Sequence, residues 1–281
     1  MPTITLPAGA GELAAYRLTG TPIAIAPPPN PFNRVALAAA HVVAEPLSDR
    51  DPSGEPAIDW PRTLAFRRHL LDLGFGIAEA MDTAQRGMGL GWATARELIE
   101  RSLADAAGRE GARIFSGVGT DHLDPADARD LDDVVRAYLE QLETVQALGG
   151  GVIVMASRAL ARLARRPEDY ARVYGRVLAA ADQPVILHWL GDMFDPALAG
   201  YWGGDRFEAT METCLAIIAA DAAKVDGIKI SLLDEQKEIV MRRRLPRGVH
   251  MYTGDDFNYP SLIEGDAVGH SDALLSIFDP I

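Results

Sequence analysis

Only three lysines stand beside 24 arginines in this 281-residue chain, and one of them, Lys229, closes the apolar run Val225-Asp226-Gly227-Ile228-Lys229-Ile230-Ser231. Burial among apolar neighbours disfavours the charged ammonium, so a lysine in that position leans toward the neutral amine. A neutral amine attacks a carbonyl carbon, and the iminium so formed draws electrons from the bond beside it. The competing reading of Lys229 is a structural ion pair with Asp226 or Asp255. His188, at the end of Pro184-Val185-Ile186-Leu187, is the second candidate. An imidazole with an ordinary pKa of about 6.5 moves protons at neutral pH, and a hydrogen-bonded core histidine is its bland alternative.

Further polar residues fall where other apolar runs end. They are His41; Asp82, Thr83, Gln85 and Arg86; Thr120, Asp121 and His122; Ser157 and Arg158; Asp192; and Gly254, Asp255 and Asp256. Asp192, Asp255, Asp256 and Arg86 could contact hydroxyls or charges of a small molecule; solvated turns and a surface arginine are the ordinary alternatives. A divalent-metal site for an epimerase, isomerase or hydrolase would draw on His41, Glu79, His122, His188 and Asp255, but neither His-x-His nor His-Glu-x-x-His spacing occurs among them. Neither metal nor cofactor is therefore expected. A binding barrel without catalysis is the third reading. Cys214, the single cysteine, lies in a helix-like apolar stretch and reads as buried. Arg242-Arg243-Arg244 end a predicted helix, where positive charge offsets the helix dipole.

What must position these residues is a repeated strand and helix pattern. Strands are predicted over 35–43, 76–80, 113–118, 151–155, 184–190, 225–231, 248–253 and 273–277, and helices over 60–73, 93–107, 131–148, 167–181, 206–222 and 235–244. Asp59-Trp60-Pro61 and Pro167-Glu168-Asp169 are helix starts. The absence of Gly-x-Gly-x-x-Gly after the first strand, and of a Walker-type loop, disfavours a nucleotide-binding sheet. Eight strand and helix units favour a closed (β/α)8 TIM barrel over 34–281, with its site at the strand C-termini. Residues 1–33 read as a strand or hairpin extension with a proline-rich linker, and the helix expected after the eighth strand has no counterpart in the sequence. A net charge of −13 argues against nucleic acid or an anionic membrane as partner. With no signal segment or membrane span in view, a cytoplasmic location and small-molecule partners are expected.

Several segments, taken in order from about Arg34 onward, resemble the dihydrodipicolinate synthase and N-acetylneuraminate lyase superfamily of Schiff-base aldolases, and in particular its divergent branch of unknown function. Asp82-Thr83-Ala84-Gln85-Arg86 falls where that superfamily has Gly-Thr-Thr-Gly-Glu. Pro184-Val185-Ile186-Leu187-His188 matches its Pro-x-x-x-Tyr, Gly227-Ile228-Lys229 its Gly-x-Lys, and Thr253-Gly254-Asp255-Asp256 its Ser-Gly-Asp-Asp. The resemblance implies a lyase in which Lys229 forms the imine, His188 stands where a tyrosine relays protons, and Thr83 holds the carbonyl-side group. It also implies a homo-oligomer, dimer or tetramer. The chain departs from the pattern at Ala84, which replaces a second threonine, and at Gly191-Asp192-Met193, which replaces an expected arginine. These departures point away from pyruvate toward a sugar-derived carbonyl compound.

Overall fold

A computed structural model describes residues 3–21, 32–45, 47–51, 54–82, 86–87 and 89–277. Eight parallel strands close into a barrel in chain order: β3 (Val35–Ala38), β4 (Gly76–Glu79), β5 (Ile114–Val118), β6 (Gly151–Val154), β7 (Val185–Leu190), β8 (Val225–Ser231), β9 (His250–Thr253) and β10 (Ala273–Ser276). The last strand returns to the first, with Ala273 opposite Val35 and Ser276 opposite Ala38. The expected TIM barrel is the fold observed.

The two faces of each strand divide the work. Leu37, Ala39, Ala78, Ile153, Met155, Ile186, Tyr252, Ala273 and Leu275 form one buried cluster along the barrel axis. Strand residues of the opposite face, such as Val152, Val154, Leu187, Ile228, Ile230 and Met251, belong to the larger cluster shared with the helices. Because both faces are buried, the strands read as continuous apolar runs and not as alternating ones. Gly227 is part of this fit: a Cβ there would lie 2.6 Å from the Tyr252 ring.

Outside lie α1 (Trp60–Asp72), α2 (Trp92–Asp105), α3 (Leu131–Ala147), α4 (Arg158–Leu163), α5 (Pro167–Ala180), α6 (Phe207–Ala220), α7 (Glu235–Arg242) and α8 (Tyr259–Glu264). Asp59, Asp130 and Asp234 start α1, α3 and α7 by accepting backbone N–H groups of the first turn. The short helices α4 and α8 were not anticipated by periodicity, which needs longer stretches to declare itself. Ser157 starts α4 by accepting from Leu160 N at 3.0 Å.

The first barrel strand also ends earlier than expected, at Ala38 and not at Val43. Side chains of α1 supply partners that a continued strand would have found in the sheet. Arg67 donates to the carbonyls of Ala40 and His41 at 3.0 and 2.8 Å, and Thr63 Oγ1 accepts from Val43 N at 2.9 Å. The remaining Arg67 donors reach Thr63 O and both oxygens of Glu79, so all five guanidinium N–H groups are used. Arg67 and Glu79 are both buried, at 2% and 0% side-chain exposure.

Ahead of the barrel, β1 (Thr3–Gly9) and β2 (Glu12–Arg17) pair antiparallel as a separate two-stranded sheet. Gly9, Ala10 and Gly11 turn the chain between them with positive φ. Both strands are exposed along their whole length.

Candidate active site

The C-terminal mouth of the barrel holds a cavity of about 340 Å³ whose wall includes His41, Asp82, Arg158, Asp195, Lys229, Ser231, Gly254, Asp256 and Ser276. A second cavity of about 260 Å³ opens beside it, lined by Gly119, Thr120, Asp121 and Met155 among others, and shares Asp82, Arg86, Arg158, Leu190 and Asp195 with the first.

Lys229 stands on β8 two residues before Ser231, and side chains two apart on a strand leave on the same face. Both therefore point into the barrel mouth. Lys229 is 1% exposed, and burial lowers its pKa from 10.5 to about 8 against the opposing pull of the Asp82 and Asp256 carboxylates. Gly254 on the next strand makes room for it. A Cβ at that position would lie 2.5 Å from Lys229 Cε and 2.4 Å from Ser231 Oγ.

His188 is the register partner of Lys229 across β7 and β8. Its ring has no exposed surface. Nδ1 lies 2.8 Å from Asp82 Oδ2, and Nε2 lies 3.1 Å from Ser231 Oγ. A carboxylate can only accept, so the Asp82 contact places the proton on Nδ1. Burial pushes the His188 pKa down, with the Asp82 charge opposing and Lys229 reinforcing that shift. The resting imidazole is therefore neutral, and its free Nε2 lone pair accepts from the Ser231 hydroxyl.

The other candidates separate into wall and scaffold. His41 and Asp256 are on the cavity wall, and Asp256 accepts a hydrogen bond from Ser276 Oγ. Asp255 is buried at 2% exposure and serves its own loop, accepting from Phe257 N and Asn258 N at 3.0 Å and from Asn258 Nδ2 at 2.8 Å. Asp192 is exposed and absent from both cavity walls; Asp195, three residues on, reaches them instead. Thr83 and Gln85 lie outside the described residues.

Arg86 borders both cavities, yet its guanidinium is committed to the protein. Nε and Nη2 hold Asp121 at 3.1 and 2.5 Å, Nη1 reaches Ala80 O and Gly117 O, and Nη2 also reaches Gln141 Oε1. All five N–H groups have acceptors. Burial pushes the Asp121 carboxyl up, but the Arg86 charge and hydrogen bonds outweigh it and hold the carboxyl below its ordinary range. Arg86 thus ties the loop after β4 to the end of β5.

The residues considered for a metal are likewise dispersed. Glu79 is engaged by Arg67 and Ser102, His122 Nδ1 lies 2.7 Å from Gln141 Nε2, and His188 contacts Asp82. Among the described residues, no group of three or more His, Cys, Asp or Glu side chains is arranged to hold an ion. Cys214 is buried, and burial pushes its thiol well up.

Three wall residues carry more than the sequence reading gave them. Ser231 was passed over although its two-residue spacing from Lys229 signalled a shared face. Arg158, at the first position of α4, lines both cavities; its Nε donates to Asp195 Oδ2 at 2.6 Å, and its Nη atoms make no hydrogen bond among the described residues. Asp195 itself opens the segment that runs to Trp202, which is fully buried among Tyr170, Tyr174, Tyr201 and Trp189.

The sequence profile of a family described as "Protein of unknown function (DUF993)" matches residues 4–281, nearly the whole chain. The chain belongs to the DUF993 family. No curated protein matches this DUF993 chain in sequence. Solved structures do share its fold. A dihydrodipicolinate synthase from Bacillus anthracis is 15% identical with a TM-score of 0.60, the match covering 88% of this chain and 71% of that one. A protein of Pseudomonas aeruginosa assigned to the dihydrodipicolinate synthetases is 21% identical, with a TM-score of 0.59 and coverage of 86% and 70%. The 2-keto 3-deoxygluconate aldolase of Picrophilus torridus is 13% identical, with a TM-score of 0.58 and coverage of 87% and 74%. At these identities the likeness is one of fold. Among the described residues of the DUF993 chain, no helix is long and apolar enough to cross a membrane.

Proposed function

We propose that this protein is a lyase of the class I aldolase type, in which Lys229 condenses with the carbonyl carbon of a keto acid or sugar-derived substrate. One observation carries the reading. Lys229 is a buried amine on the wall of a cavity at the barrel mouth that also presents Asp82, Arg158 and Asp256, with its pKa drawn down to about 8. An amine titrating there is a competent nucleophile near neutral pH, because a usable fraction is unprotonated without the leaving-group penalty of a much weaker base. The likeness to dihydrodipicolinate synthase and 2-keto 3-deoxygluconate aldolase folds supports the reading.

His188 and Asp82 supply the proton traffic that bond cleavage needs, and Asp82, Asp256, Ser276 and His41 offer polar groups to substrate hydroxyls. Arg158 presents the unused edge of its guanidinium to both cavities and takes an anionic or strongly polar end of the substrate. The protein works on small molecules in the cytoplasm as a homo-oligomer.

The test is borohydride reduction of the protein in the presence of candidate keto acids and ketoses, followed by peptide mass spectrometry. A substrate yields a reduced adduct on the peptide containing Lys229, and Lys229→Ala yields none. A covalent adduct that forms equally in Lys229→Ala would remove this function.

A further inference from the structure

His188 occupies the strand end where a proton-relaying group is wanted, but it does not touch the cavity. Its ring is fully buried and is not part of the cavity wall, whereas both of its hydrogen-bond partners, Asp82 and Ser231, are. Any proton that passes between His188 and a molecule bound at Lys229 must cross one of them. Asp82 holds Nδ1, the nitrogen that keeps its proton. Ser231 holds Nε2, the nitrogen with the free lone pair, and projects from the same face of β8 as Lys229.

From this arrangement we infer that Ser231 is a catalytic residue: its hydroxyl, backed by His188 and Asp82, carries the proton to and from the substrate once the Lys229 imine has formed. The inference rests on the Schiff-base reading above. In the cleavage direction, the substrate bears a hydroxyl on the second carbon from the iminium carbon. Ser231 Oγ takes the proton of that hydroxyl while passing its own to His188 Nε2. The oxygen forms a carbonyl, the carbon–carbon bond breaks, and its electron pair flows to the iminium nitrogen to give an enamine. The imidazolium is stabilised by Asp82 until it returns the proton through Ser231 to the enamine carbon. Water then hydrolyses the regenerated iminium and frees Lys229.

Ser231 is suited to this by its confinement. It is 1% exposed, and the space a Cβ of Gly254 would take lies 2.4 Å from its Oγ. A hydroxyl so enclosed between an imidazole and a nucleophilic amine is oriented before any substrate arrives.

The relay can be read without the natural substrate, through exchange of protons beside a bound carbonyl. Hydroxyacetone and pyruvate serve as probes in deuterium oxide, with methyl-group deuteration followed by NMR and imine formation scored in parallel by borohydride trapping. Wild-type protein traps and exchanges. Ser231→Ala keeps the Lys229 adduct at the wild-type level and exchanges on the order of 100-fold more slowly, the range expected for loss of a general acid–base group. His188→Asn shows the same split, and Ser231→Thr, which keeps the hydroxyl, restores exchange. Exchange by Ser231→Ala at the wild-type rate, with the adduct intact, overturns the assignment while leaving the imine reading standing. Loss of adduct and exchange together in Ser231→Ala would assign Ser231 to imine formation and overturn its role at carbon. Failure of the wild-type protein to trap either probe counts against the imine reading, and the relay falls with it.

Discussion

Lys229 and His188 face each other across β8 and β7 as register partners, yet Lys229 lines the cavity and His188 lies behind the wall. The two groups therefore have different access to a ligand. A molecule in the cavity can touch Lys229 itself, whereas His188 is screened from it by its partners Ser231 and Asp82.

The Lys229 amine sets the pH dependence of covalent capture. With a pKa of about 8, its neutral fraction rises about tenfold per pH unit below that value and levels off above it. Initial rates of borohydride trapping should follow that curve. The same shift links to stability: in the fold Lys229 gives up its proton at lower pH than in the unfolded chain, so its contribution is full above pH 10.5 and is lost as pH falls through about 8. Lys229→Met should therefore abolish trapping and raise the melting temperature at pH 7. A melting temperature well below wild type would show that the ammonium is held by favourable pairing.

Glu238 on α7 gives a second pH signature. It is 1% exposed and accepts from Ser271 Oγ at 2.5 Å through Oε1. Burial, the leading cause, raises its pKa from 4.5 to about 7. The fold thus holds a proton that the unfolded chain has released, and its stabilising contribution is full below pH 4.5 and lost as pH rises through about 7. Glu238→Gln should flatten that fall in denaturant titrations between pH 5 and pH 8. An unchanged slope would mean the carboxyl ionises freely in the fold.

Arg67 and Glu79 form a pair in which removing one partner strands the other. Arg67→Met leaves the Glu79 carboxylate without its counter-charge and the carbonyls of Ala40 and His41 without the Arg67 donors, and should cost about 3–5 kcal/mol in chemical denaturation. The loss should exceed that of Arg62→Met, whose arginine pairs with Asp59 at the surface.

A substrate role for Arg158 is distinguishable from a structural one. Arg158→Gln removes the guanidinium edge facing both cavities while leaving the barrel intact. For a carbonyl compound that Lys229 captures, half-saturation should rise by about tenfold, with little change in trapping at saturation. An unaltered concentration dependence would remove Arg158 from substrate recognition.

The barrel was legible because its strands are short, buried on both faces and spaced by helices, so apolar runs such as Pro184-Val185-Ile186-Leu187 marked them to within a few residues. The burial of Lys229 at the barrel mouth was legible for a related reason, since a charged side chain inside such a run stands out from its surroundings. What stayed hidden depends on contacts between distant segments. Arg86 and Asp255 looked free to bind a ligand, and only the fold shows Asp121 and Gln141 closing around the first and the backbone of Phe257 and Asn258 around the second. Asp192 and Asp195 are three residues apart in one loop, and nothing in their spacing says which turns inward. Ser231 was the avoidable omission, because strand alternation alone places it beside Lys229.

Closure of the barrel joins Val35 to Ala273, so the first wall of the cavity meets the last only when almost the whole described chain is available. A chain that ends before β10 lacks the wall that Ser276 adds to the Lys229 cavity. Such a chain should leave the Lys229 amine in water with an ordinary basicity, and the lowered pKa should arrive with β10. The reactivity of Lys229 is in this sense a reporter of completed folding: an amine-selective label that discriminates by pKa would distinguish ribosome-bound intermediates from finished protein.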